Sequence, residues 1–334
     1  MKMRLFLSLS PALFLLVCAG CSLPEYGIEQ KIDMSVPIVK AASRVYMGPY
    51  TDQTGQIQIT IYDASVTGQH NTVTAYIADD EVLVGGGAYT GNKEGFLTGS
   101  YPSLDNNGVG NGWTAASKDH FIACSHQTTV QAVGMKLKDK AGNFIPKSTV
   151  QKYIKIFSST NYYAQHPTAE TKIPSNYSLI GGGSRVEYPF GDDGINVYGN
   201  LLTASRPNDA LNGWLSASKD HSAYSPAMLT AYAIGYKKDE AIPNFGYIYA
   251  RIYSLKANVS KENTHCQLAS ECSSSYALIG VGGFTIYNSC GRLLNNLHLV
   301  ANQYGMIGES DLIYPDTGIF AVQAIGITQV PSLK

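Results

Sequence analysis

The stretch VLVGGGA, Val82–Ala88, places three apolar residues ahead of three glycines. The chain writes it again as SLIGGGS, Ser178–Ser184, and as ALIGVGG, Ala277–Gly283. Ahead of each lies a strand-like run: IQITIY (57–62), YIKIF (153–157) and IYARIY (248–253). Behind each lies another: VQAVGMKL (130–137), LTAYAIGY (229–236) and AVQAIGI (321–327). Three landmarks in one order, three times, point to a unit copied in tandem. The units are taken as 55–145, 146–243 and 244–334. In IQITIY the alternation puts Ile57, Ile59 and Ile61 on one strand face and Gln58 and Thr60 on the other. The closing runs are apolar on both faces, as in strands covered from two sides. Each holds a Gly in register (Gly134, Gly235, Gly326), which a strand keeps where a bulge or a close contact requires it. The glycine run itself reads as a tight bend at a strand end. It is no phosphate cradle, because the dinucleotide spacing is missing and no GKS or GKT follows.

Apolar residues at helical spacing are missing outside the N-terminus, and segments such as YPSLDNNGVGNG (101–112) have turn composition. The expected fold is all-β: one pseudo-threefold β-prism-like body, or three tandem β-sandwich-like modules. Only 15% of the 334 residues are charged and the net charge is −1, which excludes the concentrated basic face a nucleic-acid partner needs.

The N-terminus reads MKMRLFLSLSPALFLLVCAGC. A short basic start, an apolar run too short to span a bilayer and a small-residue site make residues 1–20 a secretory signal. Ala19-Gly20-Cys21 resembles the lipobox of bacterial lipoproteins, with Cys18 where Leu is usual. The resemblance implies cleavage before Cys21 and a fatty-acylated Cys21. Ser22 then favours the outer membrane, and the membrane becomes a partner through the anchor. Residues 21–54 form a tether, with a first edge strand near Pro37 to Val45. Beyond the anchor, Cys124, Cys266, Cys272 and Cys290 sit in an oxidising compartment, and one bridge is expected among the last three. Their spacing fits no zinc pattern, so no metal site is assigned, and no cofactor is called for.

A second repetition concerns function. NGWTAASKDH (111–120) returns as NGWLSASKDH (212–221), identical at eight of ten positions, and includes both Trp of the chain. The third unit reads ANQYGMIGESDLIYP (301–315), without Trp or His. The candidate ligand-binding residues are Trp113, Lys118, Asp119 and His120, with Trp214, Lys219, Asp220 and His221. Indole faces and polar neighbours suit a sugar, and Asp beside His suits an oriented base. Two further readings stand beside these. In one the Trp fills the core while Lys-Asp-His forms a turn, and in the other the two His meet around a metal. Catalysis would also need a nucleophile, and no GxSxG elbow exists, so no catalytic residue is assigned. Asp105 with Asn107 and Asn111, Asp79-Asp80-Glu81, and Asp192-Asp193 read as turns and not calcium loops.

NDALNGW (208–214), LLNNLHL (293–299) and the glycine-rich strand starts are similar to the repeat of the vitelline membrane outer layer protein. That family is a three-sheet β-prism. The resemblance implies a sugar-associated surface protein and supplies no catalytic residues. The leading expectation is a lipid-anchored bacterial surface protein that binds glycans or host or matrix proteins. A hydrolase of envelope or extracellular polymers, and a structural envelope component without ligand, are the alternatives.

Overall fold

The computed structural model describes residues 42–91, 95–119, 123–187, 199–220, 224–260, 265–288, 291–300, 305–311 and 317–333. Strand β1 spans Arg44–Thr51. The interval 55–145 supplies β2 (Ile57–Gly68), β3 (His70–Tyr76), β4 (Val82–Thr90), β5 (Phe96–Leu104), β6 (Gly110–Lys118) and β7 (His126–Leu137). The interval 146–243 supplies the single-turn helix α1 (Lys147–Val150), then β8 (Ile154–Thr160), β9 (Thr168–Lys172), β10 (Tyr177–Glu187), β11 (Asn200–Pro207), β12 (Gly213–Asp220) and β13 (Met228–Lys237). The remainder supplies β14 (Tyr247–Val259), β15 (His265–Glu271), β16 (Ala277–Tyr287), β17 (Leu293–Leu299), β18 (Gly305–Asp311) and β19 (Gly318–Val330). The protein is all-β, as the alternation and turn chemistry require. Of the edge strand expected near Pro37 to Val45, residues 37–41 lie outside the described residues; β1 at 44–51 overlaps its end, and Tyr50 on it is buried.

The strands form three antiparallel sheets, ordered β1-β2-β7-β4-β17-β18-β15, β8-β13-β10-β5-β6-β3, and β14-β19-β16-β11-β12-β9. Each interval keeps its first, third and last strand in one sheet and sends its second, fourth and fifth to the next sheet. The exchange closes: β15, β17 and β18 return to the sheet of β2. Three tandem sandwiches are therefore not the architecture, because no interval completes a sheet by itself. The reason is local. A strand connected by a short turn need not pair with its predecessor, and here β2 and β3 join through one residue yet belong to different sheets.

The seams between intervals are short: β4–β17, β5–β10 and β11–β16 each have two residue pairs in register. Across each seam two side chains stack. Arg185 covers Tyr101 at 5.3 Å, Arg206 covers Phe284 at 4.4 Å, and His298 meets Tyr89 with ring centroids 4.3 Å apart. Phe96, Leu201 and Leu293, which begin or nearly begin β5, β11 and β17, form their own buried cluster where the three sheets meet.

The glycine run does not bend the chain. It lies inside β4, β10 and β16, with a register shift at its first glycine each time. A Cβ on Gly85 would lie 2.1 Å from the Ile279 carbonyl oxygen, and one on Gly181 would lie 2.8 Å from that of Val84. The glycines thus let these central strands approach backbone to backbone. Gly134, Gly235 and Gly326 leave room for the Glu81, Tyr177 and Tyr276 side chains lying over them. Among the described residues no helix is long and apolar enough to cross a membrane.

Candidate functional site

Register sets the two NGW segments in corresponding places. Trp113 on β6 faces Pro102, and Trp214 on β12 faces Pro207. Both indoles are buried, at 1% and 0% exposure, so neither ring presents a face to a ligand. Each donates Nε1–H to a serine, Trp113 to Ser100 Oγ at 2.9 Å and Trp214 to Ser205 Oγ at 3.1 Å. Each ring lies on the middle glycine of the run: a Cβ on Gly86 or Gly182 would sit 2.3 Å from Trp113 or Trp214. The third interval changes all three parts together. Val281, Leu297 and Met306 occupy the register positions of the glycine, the serine and the tryptophan. The indole is a core piece with a matched cavity.

Lys118 and Lys219 are also buried, at 5% and 6% exposure, opposite Phe96 and Leu201. The Lys219 ammonium lies 5.1 Å from the centre of the Tyr287 ring, beside Gly291, where the ring face favours a cation. Neither lysine is free to greet a large ligand.

The aspartates pair with histidines distant in sequence. Asp119 Oδ1 lies 3.0 Å from His70 Nε2, and Asp220 Oδ1 lies 3.1 Å from His166 Nε2. The second oxygen of each carboxylate accepts a backbone N–H five residues on, from Cys124 at 3.0 Å and from Ser225 at 3.1 Å. Each aspartate therefore closes a loop and holds the histidine that opens an edge strand or leads into one. Burial pushes the Asp220 carboxyl up, but the hydrogen bonds from His166 and the Ser225 N–H outweigh it, and its pKa falls below the usual range. His70 is largely enclosed, while the His166 side chain is 60% exposed. Sequence reading missed both histidines, although GQHNT (68–72) and AQHPT (164–168) repeat. His120 and His221 lie outside the described residues, so the reading of two His meeting around a metal falls there too.

A second His contact joins His126 Nε2 to Ser117 Oγ at 2.8 Å. Both residues are buried, and His126 Nδ1 faces the Cys124 carbonyl at 3.2 Å and not a carboxylate. Burial lowers the His126 pKa. Thr128 and Asn71 complete this network, which satisfies polar groups inside the fold. A nucleophile–base–acid relay requires one histidine between the other two groups, and here the two roles fall on different histidines.

Among the described residues no disulfide joins Cys124, Cys266 and Cys272 to one another. Cys266 lies near the start of the extended strand β15 and Cys272 follows its end, and a rise of about 3.3 Å per residue keeps them far beyond bridging distance. Cys290 and Cys21 lie outside the described residues. Asp105 closes its own turn, its Oδ1 accepting from the Asn107 and Val109 N–H groups at 2.8 and 2.9 Å, which lowers its pKa. Among the described residues no group of three or more His, Cys, Asp or Glu could hold a metal.

A cluster of exposed side chains lies elsewhere, on the 146–243 interval. β2 joins β3 through one residue, but β8 joins β9 through residues 161–167. Tyr162 in that loop is 95% exposed and Tyr163 43%, and Tyr224 on the β12–β13 connection is 74% exposed. The two loops are tied together. Ala164 and Ala227 exchange backbone hydrogen bonds, Asn161 N donates to Leu229 O, Leu229 N donates to Asn161 Oδ1, and His166 meets Asp220. Two highly exposed phenol rings, a third that is part-exposed and an exposed imidazole held by a carboxylate thus share one hydrogen-bonded support. No family model matches the chain, and no curated protein matches it in sequence.

Proposed function

We propose that the protein is a lipid-anchored bacterial surface protein that binds glycans, carried free or on host or matrix proteins, through loop 161–167 and the described residues 224–227 of the β12–β13 connection. The observation that carries this reading is the exposure of Tyr162, Tyr163 and Tyr224 on loops cross-linked by hydrogen bonds. Exposed aromatic rings cost solvation unless something covers them, and a sugar's apolar face suits a phenol ring. The His166–Asp220 pair supplies a donor and an acceptor for hydroxyl groups beside the rings. The anchor reading rests on Ala19-Gly20-Cys21, and the surface reading on the secretory signal ahead of it. The likeness to the vitelline membrane outer layer repeat supports a sugar-associated role.

The test is a glycan array probed with the parent protein and with a Tyr162→Ala, Tyr224→Ala double variant. The expected result is binding by the parent that falls about tenfold or more in the variant, with an unchanged unfolding midpoint. A parent without signal above background contradicts the reading. The anchor is tested separately: a clickable palmitate analogue should label the protein in cells, and Cys21→Ser should abolish the label.

A further inference from the structure

β1 lies antiparallel on the free edge of β2, with Tyr50 opposite Ile59. Tyr50 is buried, and its hydroxyl donates to the Leu278 carbonyl at 2.6 Å. Gln53 N donates to Ser275 O, and the buried Asp52 carboxylate accepts from Thr328 Oγ1 and Gln329 N. β1 therefore fills a groove between the edge of β2 and the start of β16.

Register identifies the corresponding groove elsewhere. Ala250 on β14 faces Ile327 as Ile59 on β2 faces Met135, and Leu179 on β10 faces Gly235 as Leu278 on β16 faces Gly326. Between the edge of β14 and the start of β10 lies a cleft of about 470 Å³, whose walls include Leu179, Tyr177, Ala250, Tyr249 and Leu211. Among the described residues no strand pairs with that edge of β14. The edge of β8 is the third such place. There α1 reaches the corresponding turn, Lys147 Nζ donating to the Asp79 carbonyl, and Val150 is buried. Of three corresponding grooves, one holds a strand, one is approached by a helical turn, and one is an open cleft. Ala250 stands where Ile59 and Ile154 stand in the other two, so the cleft has the most room opposite that position.

We propose that the cleft beside β14 is a docking groove for an extended polypeptide segment of a partner protein. The segment adds as a strand to the edge of β14. It lodges an aromatic side chain opposite Ala250, over the Leu179 carbonyl, as Tyr50 does over Leu278. Main-chain pairing supplies affinity in such a mode, and the side-chain pocket supplies selection. A cleft of this volume falls in the range of sites that enclose a ligand group. The groove makes no use of the tyrosine-bearing loops, so it stands whether or not those loops bind glycans.

The experiment uses the chain's own example of a fitting strand. A fluorophore-labelled peptide of residues 43–54, SRVYMGPYTDQT, is titrated into the whole protein, and amide exchange is followed with and without it. Saturable binding is expected, with slower exchange along β14. A peptide carrying Tyr50→Ala should bind about tenfold more weakly or worse, the cost of losing one buried aromatic anchor. Ala250→Trp in the protein should fill the cleft and weaken binding at least as much. Ala210→Trp, at the exposed hairpin tip on the cleft wall, does the same without touching the sheet and keeps the test valid should Ala250→Trp not fold. Absence of saturable binding, binding indifferent to both cleft variants, or protection along β2 in place of β14 overturns the proposal. So does self-association of the protein that Ala250→Trp abolishes, which would put a second copy in the cleft.

Discussion

Trp214 shows how one side chain fixes its neighbours. The ring needs a residue without a Cβ at Gly182 and an acceptor at Ser205, and the first interval repeats the set with Trp113, Gly86 and Ser100. Gly182→Ala should therefore overpack the core and cost about 1–3 kcal/mol, and Trp214→Ala about 3–5 kcal/mol, measured as shifts in the denaturant midpoint. His298 makes a second prediction. Burial lowers its pKa from 6.5 to about 4, and it packs neutral on Tyr89. The unfolded chain takes up this proton near pH 6.5 and the folded one only near pH 4. Stability from this group is therefore full above pH 6.5 and is lost as pH falls through that window, on the order of 3 kcal/mol in all. Midpoints at pH 7 and pH 4.5 should differ less in His298→Phe than in the parent; an equal difference contradicts the assignment. The core reading of Trp was open to sequence reasoning, because a large apolar surface between strands is normally buried. The partner of Asp119 was not: His70 lies 49 residues away, and only the register of β3 on β6 joins them.

At the scale of elements, strands could be read from alternation, and the turns from their Gly, Asn and Asp content. What the glycines do could not. VLVGGGA looks like a strand that stops, since nothing in the segment announces the Ile279 carbonyl pressed against Gly85 from another interval. The same limit applies to the seams, whose stacked pairs join residues from different intervals. Each seam has only two residue pairs in register, so its side-chain stack contributes visibly. A double-mutant cycle on Arg206→Ala and Phe284→Ala should return a coupling of about 0.5–1 kcal/mol, and none if the contact is incidental. The loops divide differently. The β8–β9 connection is long where β2–β3 is a single residue, and loop length beyond what closure needs is where binding surfaces arise. Composition alone gave no sign that Tyr162, Tyr163 and Tyr224 would be among the exposed tyrosines.

At the scale of the molecule, the pairing of strands decides what can fold by itself. Each interval surrenders half its strands to the next sheet, so a single interval leaves β edges and apolar faces exposed on both sides. The fold class was legible because periodicity is local. The choice between one body and three modules was not, because both use the same strands in the same order and differ only in which sheet receives them. The most direct test is to express residues 146–243 alone and unfold them in urea. The exchange of strands predicts no cooperative transition and no dispersed amide spectrum from this fragment, while residues 42–334 unfold in a single step. A fragment that folds and unfolds cooperatively by itself would contradict it.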